Sequence, residues 1–558
     1  MSHTEIDTND SLVTPEELAK HSAEFEREIL EVADGVYVAI GYGLANSILL
    51  EGSDGVVIVD TLESVEAAKP VKKAFDSITS KPLKAIIYTH YHSDHIGGAG
   101  VFAGNQEIDI YTHEETVQEL NNAAMVSEVI FDRSMAMFGN YLSPPAFLSS
   151  GIGPFLLLDD KTEVDYIPPT KTFGSDKLDI KISDLNLELI HIPGETKGQI
   201  AVWLPDKGIL IGADTFYNSF PNLYSIRGTR FRNPSHWADS VERLRRLESE
   251  CYIPCHTRPI TGEKIIDEVL SDYRDAIQYI HDQTLRQINN GLTPDELVEE
   301  VKLPPHLADK PYLREFYGNV QWSIRNIYNG YLGWFNGNTT NLFPLSPEEK
   351  ANHFVQLAGG EKEFLLKTRK SLEEGNYQWT LELADQLLQL PQYRNEALKI
   401  KATAIWKLGI NQGNANARNY YLTRALEAGG FVEIPPFQGE ASIFLTLDIM
   451  TILQIMAINL DPNKSADIYM AAGFRFTDLD DIYSVNIRGG VAIVTPYFLD
   501  TIDIVIICNS IVWKEIIGRY ITPREAFRMD DLQIDGTKTQ FYRFLNLFSD
   551  RSFEDSSF

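Results

Sequence analysis

The chain has 558 residues and a formal net charge of -30, with 44% apolar and 23% charged residues. That length exceeds one hydrophobic core, so two to four domains are expected; the acidic balance argues against non-specific nucleic-acid binding and against adhesion to anionic membranes. Its three cysteines, Cys251, Cys255 and Cys508, are too few for a disulfide framework and fit a reducing compartment.

Residues 1 to 31 are acidic and have no apolar stretch of the signal-peptide kind, so a cytoplasmic location is expected. Apolar spacing predicts a helix over Pro15–Val32. From Gly35 to Ile260 strands alternate with helices. Val36–Ile40 and Asn46–Leu50 read as strands around Gly41-Tyr42-Gly43, Ser64–Ser80 as a helix, and Lys84–Tyr88 as a buried strand. Strand patterns return over Leu178–Ile192 and Ile200–Leu204. The period then becomes helical. Glu263–Asn289 has apolar residues at helical spacing and stops at Asn290-Gly291, and Leu357–Glu427 reads as short helix pairs with a turn at Gly375-Asn376-Tyr377. After Phe431 the pattern is mixed: Ser484–Val494 and Thr501–Cys508 alternate like strands, while Ser510–Gly518 and Phe541–Phe548 read as helices. The apolar run Ala441–Leu460 contains Asp448 and Gln454, so it reads as a buried helix and no stable membrane insertion is expected. The expected division is a lead-in (1–32), an α/β domain (33–262), a helical domain (263–430) and an α+β domain (431–558).

The chemistry concentrates in Thr89-His90-Tyr91-His92-Ser93-Asp94-His95-Ile96-Gly97-Gly98. Four potential metal ligands fall within six residues at the end of a strand. Imidazole and carboxylate are zinc-type ligands, and the two glycines let the backbone turn closely behind them. His90 and His92 are expected at one metal, Asp94 and His95 at another. His113 reads as structural, because no ligand spacing surrounds it. Cys255 reads as a small core residue, since neighbouring strand residues such as His256 point to opposite faces. The Met135, Met137 and Phe138 stripe reads as core, with a channel wall, shared with Arg133, as the alternative.

The H-x-H-x-D-H run resembles the signature of the metallo-β-lactamase superfamily. The resemblance extends to His191-Ile192-Pro193-Gly194-Glu195-Thr196, where most members carry a histidine after Pro-Gly and this chain carries Glu195. It continues through Gly208–Asp214, whose terminal acid would bridge two metals, and through Pro254-Cys255-His256-Thr257. Val56–Thr61 resembles the first family motif, with Asp60 supporting the site from behind and Gln199 standing where relatives hold a supporting histidine. The resemblance thus implies two zinc ions. His90, His92 and Glu195 would hold one, Asp94, His95 and His256 the other, and Asp214 would bridge them, with Asp94 and Asp214 as the catalytic carboxylates. Zinc of this kind lowers the pKa of a shared water toward neutrality and supplies a hydroxide nucleophile.

Three features narrow the resemblance: Glu195 itself, the segment Pro221–Arg232, and the order of a catalytic, a helical and a carrier-like domain. Together they resemble the alkylsulfatases, which hydrolyse sulfate esters of long-chain alcohols such as dodecyl sulfate. The implied architecture is an αββα metallo-β-lactamase sandwich, then an all-α dimerisation domain, then an α+β sterol-carrier-protein-2-like domain that Ile511–Gly536 resembles. A homodimer and a sulfate ester with an alkyl chain are the implied partners. The sulfate-binding segment maps onto Asn222, Leu223, Tyr224, Ser225, Ile226 and Arg227, with Arg232 added; two guanidinium forks suit a sulfate's three acceptor oxygens. The chain departs from the family by Asp214 in place of the usual Glu, and by Asn218 and Pro221 where a histidine is common. Two other readings are kept: hydrolysis of an acyl or lactone ester, which needs no double guanidinium clamp, and a lipid carrier with a residual catalytic domain.

Overall fold

The computed structural model describes residues 15–159, 161–437 and 441–548. The chain falls into two compact units, one formed by residues up to 116 with 128–437, the other by 117–127 with the residues after 437.

The first unit is built on two packed sheets. In the seven-stranded sheet the strands run in chain order: Glu28–Ala33, Val36–Ile40, Ser47–Glu51, Val56–Val59, Leu83–Ile87, Asp109–His113 and Lys171–Phe173. Its first half is antiparallel and its second half parallel. The central strand Val56–Val59 is buried along its whole length, as expected of a β-branched run in the parallel part of a covered sheet. The six-stranded sheet runs from Lys177–Ile182 through Leu185–His191, Ile200–Leu204, Ile209–Ile211 and Cys251–Ile253 to Ile260–Thr261. Val38, Ile48, Val57 and Ile87 of the first sheet share one apolar core with Leu187, Leu189, Val202 and Ile211 of the second. Helix Val65–Ile78 and the short helix Ala99–Ala103 flank the first sheet. Helices Pro234–Arg245 and Glu263–Asn289 flank the second, their buried residues joining the same core. This is the αββα sandwich.

The expected helix over Pro15–Val32 is shorter than its apolar spacing suggests. Helix Glu16–His21 passes into a 3-10 turn, Ser22–Phe25, and Glu28–Ala33 is an edge strand paired antiparallel with Val36–Ile40. The free edge of the neighbouring strand decides this: Glu28–Glu31 and Ala33 pair along it, with an irregularity at Val32, in a ladder that local helical spacing cannot form. The helical segment follows the sandwich, with Pro347–Ala358, Glu361–Glu373, Tyr377–Leu387, Arg394–Gly409 and Ala415–Ala428 each packed on the next. Gly375 makes its turn at φ 78°, where a side chain would strain the backbone.

The second unit is a five-stranded sheet in the order Val491–Thr495, Ile482–Arg488, Tyr469–Phe476, Ile504–Cys508, Leu532–Asp535, with helices Ile449–Ile458, Ser510–Ile517 and Lys538–Leu545. Phe474, Trp513, Phe541 and Phe544 fill its core. The apolar run Ala441–Leu460 is divided into helices Ala441–Phe444 and Ile449–Ile458. No helix among the described residues is long and apolar enough to cross a membrane.

Candidate metal and anion site

Strand Leu83–Ile87 ends against loop 60–64, and this junction shapes the H-x-H-x-D-H segment. Asp60 accepts the Thr89 N–H at 2.8 Å and the Thr89 hydroxyl at 2.7 Å, so the segment leaves the strand in one direction. Ser93–Ile96 forms one helical turn, and the His95 carbonyl accepts the Thr61 N–H at 2.8 Å. A Cβ on Gly97 would lie 2.1 Å from the Glu63 carbonyl oxygen, so only glycine permits this approach. Around the site four non-glycine residues sit at positive φ: Asp60 (60°), Leu62 (66°), Ala213 (50°) and Thr257 (66°). Each such conformation costs about 1–3 kcal/mol and persists where its surroundings over-determine it, commonly at functional sites.

The fold gathers all seven residues expected as ligands. Ligand-type atoms of Asp94, His95 and His256 lie within 4.8 Å of one another, as do those of His92, Glu195 and Asp214, and those of His90, His95 and Asp214. Asp214 is the common neighbour: its carboxylate is 3.8 Å from His90 Nε2, 3.6 Å from His95 Nε2 and 3.2 Å from His256 Nε2. Asp94 lies 3.3 Å from His95 Nε2 and 3.5 Å from His256 Nε2. Two imidazoles are held from behind. His95 Nδ1 donates to Asp60 at 2.7 Å and His256 Nδ1 donates to the Leu44 carbonyl at 2.9 Å, which turns both Nε2 atoms toward the carboxylates. The residues fit metal ions. His95 Nε2, His256 Nε2, Asp214 Oδ1 and Glu195 Oε2 are all buried without a hydrogen-bond partner, a costly arrangement unless a cation occupies their common space. Cys255 also approaches Asp60 and His95, but on the Nδ1 side that Asp60 occupies; its burial in the core raises its thiol pKa well above the usual range.

Without an ion between them, burial and mutual charge set the protonation of these groups. Burial disfavours charge on His95 and His256, but the facing Asp94 and Asp214 carboxylates outweigh it and raise both. Those imidazoles in turn hold Asp94 down to about 2, and Asp214 well below its usual value, against the effect of burial. His90 is pushed down to about 3 by burial and by His95. Burial and Arg227 hold His92 well below its usual value. Glu195 is pushed up to about 7 by burial, with Arg232 opposing.

The basic residues lie on the Glu195 side. Arg232 is 3% exposed; its Nη1 donates to Glu195 Oε1 and to the Asn222 carbonyl, both at 2.6 Å. Its Nη2 is buried without a partner, as are both polar atoms of the Asn222 amide. Arg227 Nη2 lies 3.0 Å from His92 Nε2. The other residues of the expected anion segment are placed differently. Leu223 packs in the main core, Ser225 donates its hydroxyl to Met137 Sδ at 3.4 Å, Ile226 packs beside Met135 and Phe138, and Tyr224 is half-buried. The Met135, Met137 and Phe138 stripe is buried core. Gln199 is buried and donates to Thr215 Oγ1, next to Asp214, at 2.9 Å. His113 is stacked on His191 at 3.9 Å, outside every ligand group.

Three contributors have no expectation attached to them from sequence. They are the Leu44 carbonyl, the buried Glu63 carboxylate, and Tyr317, a buried residue close enough to Glu195, Arg227 and Arg232 to feel their charges. A backbone carbonyl has no residue-type signature, and Glu63 reads as one more acid in an acidic chain.

Comparison with known proteins matches residues 40–256 to the metallo-β-lactamase superfamily, 293–430 to the alkyl sulfatase dimerisation family and 438–554 to the alkyl sulfatase C-terminal family. The linear primary-alkylsulfatase of Pseudomonas sp. (strain ATCC 19151) is 36% identical over 528 residues, covering 91% of this chain and 99% of that protein. The chain belongs to the alkylsulfatase family. A second linear primary-alkylsulfatase, from Pseudomonas sp., is 30% identical over 550 residues, 95% of this chain and 80% of that one. The solved structure of a double mutant of the sec-alkyl sulfatase PisA1 superposes with a TM-score of 0.90 at 25% identity, covering 98% of this chain and 89% of that chain. Alkylsulfatases are sulfuric ester hydrolases. Among the residues expected from sequence as departures from the family pattern, Asn218 is half-buried with its N–H on Thr257 Oγ1 at 3.2 Å. Pro221 is buried, and its carbonyl accepts the Leu223 N–H at 2.9 Å.

Proposed function

We propose that this chain hydrolyses sulfate esters of alkyl alcohols at a site holding two zinc ions. His90, His92 and Glu195 would hold one ion, Asp94, His95 and His256 the other, with Asp214 between them. When bound, the ions would supply Lewis acidity, to water and to the sulfate oxygens. The protein's own contribution is positioning. Asp60 and the Leu44 carbonyl keep the protons of His95 and His256 on Nδ1 and their Nε2 atoms turned inward. Arg227, Arg232 Nη2 and the Asn222 amide would bind and orient the sulfate group by charge-assisted hydrogen bonds in a site closed to bulk water. Arg232 also neutralises Glu195, so the carboxylate that replaces a histidine does not repel an anionic substrate.

The observation that carries this reading is the set of buried polar atoms without partners, Arg232 Nη2 and the Asn222 amide, beside the His/Asp/Glu cluster. An acyl or lactone substrate needs an oxyanion site but no double guanidinium clamp. The test is Arg227→Ala assayed on dodecyl sulfate and on a neutral acyl ester. Sulfate release is expected to fall about 100-fold or more, with acyl hydrolysis unchanged. An equal fall on both substrates supports the acyl or lactone reading instead.

A homodimer belongs to the same proposal. The segment matched by the dimerisation family carries Trp334 at 71% and Phe343 at 94% exposure, with Tyr331, Leu332 and Leu345 also exposed. Large apolar side chains concentrated on so short a segment suit a surface that a second copy covers. For the last unit, helices packed on one sheet support the sterol-carrier-like reading, with gathering of alkyl chains as its role.

A further inference from the structure

Glu63 is a fully buried carboxylate that no ligand or anion role above uses. Its Oε1 accepts the Leu157 N–H at 2.7 Å, and its two oxygens accept the Leu44 N–H at 3.3 and 3.1 Å. The carbonyl of the same Leu44 accepts Nδ1–H of His256 at 2.9 Å. Leu44 is therefore gripped from both sides, by a carboxylate at its N–H and by an imidazole at its C=O. The fit leaves no room. A Cβ on Gly43 would lie 2.5 Å from Glu63 Oε2, and one on Gly153 would lie 2.2 Å from the Leu44 oxygen. Two residues further on, Asn46 fastens the chain around His256. Its N–H donates to the Cys255 carbonyl at 2.6 Å, and its amide donates to the carbonyls of Pro254 at 3.1 Å and Thr257 at 2.8 Å.

Filling this space does not require a carboxylate. An apolar side chain would fill it without the cost of burying charge, whereas Glu63 is retained with its oxygens committed to two backbone donors. The structure already has one device of this kind, Asp60 acting directly on His95. We propose that Glu63 is a positioning residue for His256: through Leu44 it fixes the rotation of the imidazole and keeps its proton on Nδ1, so that Nε2 is presented to a metal. This rests on the reading that Asp94, His95 and His256 hold one of two metal ions.

Cobalt(II) titration of the metal-stripped full-length protein, followed by visible absorption, tests it. Wild type, His92→Ala, His256→Ala, Glu63→Gln and Gly43→Ala are compared, with the melting temperature of each stripped protein measured alongside. Glu63→Gln keeps the shape but sets an NH2 group against one of two N–H donors. Gly43→Ala drives a methyl group into the carboxylate. In both, the binding step abolished by His256→Ala is expected to weaken about 10-fold or more, while the step abolished by His92→Ala is unchanged. Selectivity for one step is what a residue that merely supports the fold does not produce. Equal weakening of both steps, no change in either, or failure of both variants to fold overturns the proposal. Wild-type protein that takes up no cobalt overturns the metal reading itself, and that result is visible before any variant is titrated.

Discussion

His21 lies outside the metal cluster and shows how burial outweighs a hydrogen bond in tuning an imidazole. It is 7% exposed, donates from Nε2 to the Gly151 carbonyl at 2.7 Å, stacks on Phe316 at 4.2 Å and meets Phe25 edge-on at 5.3 Å. Burial lowers its pKa from 6.5 to about 4, with the Gly151 hydrogen bond opposing. The folded state therefore refuses a proton that the unfolded state accepts below pH 6.5. The corresponding stability is fully present above that pH and is lost as pH falls toward 4, to the extent of up to about 3 kcal/mol. Urea unfolding at pH 7.5 and pH 4.5 should show this loss in wild type and a smaller one in His21→Gln. Identical losses in the two proteins would contradict it. Residues of the cluster differ in how far the sequence exposes them. His90, His92, Asp94 and His95 are legible together because the bend after one strand and the helical turn that follows it supply four ligands, three imidazoles and a carboxylate, in six residues. Glu195, Asp214 and His256 are single residues at the ends of separate strands, and only a family resemblance connects them. Glu63 and Leu44 were not legible, since their role lies in a backbone geometry that no residue pattern records.

Elements were legible where period and length agree. Helix Glu263–Asn289 follows its apolar spacing to both ends, because 27 residues give the pattern enough turns to be unambiguous. The first strand was not legible: six residues with Ile29, Leu30 and Val32 satisfy helical and strand spacing alike, and the ladder to Val36–Ile40 decides between them. The central strand of the second unit, Tyr469–Phe476, is not legible for another reason. Its middle is Ala471-Ala472-Gly473, residues of low strand propensity, and it is a strand because both neighbours pair with it, Ile482–Arg488 antiparallel and Ile504–Cys508 parallel. The Ser484–Val494 alternation is two strands, Ile482–Arg488 and Val491–Thr495, reversed at Gly489-Gly490 where both φ angles are positive. The helical period after residue 262 was legible, but not where its helices pack: Ile266, Ile277, Leu297 and Ile324 join the core of the two sheets, which no period records.

The whole chain follows the domain order that its sequence resembles, and the helical segment bears on its assembly. With Trp334 and Phe343 exposed, light scattering of the purified protein should give twice the chain mass, and Trp334→Ser with Phe343→Ser should give the chain mass with an unchanged circular-dichroism spectrum. A wild-type monomer would contradict the assignment of this segment as an interface. Charge is divided by region: the chain carries a net charge of -30, while the buried Arg232 and the half-buried Arg227 lie beside the buried cluster where an anionic substrate would be held. The most direct test of the account is sulfate release from dodecyl sulfate by the purified protein in three states: loaded with zinc, stripped by a chelator, and reloaded. The account predicts sulfate and dodecanol in equal amounts from the first and third states and neither from the second. No release from protein that demonstrably holds two zinc ions, or release that survives complete stripping, would contradict it.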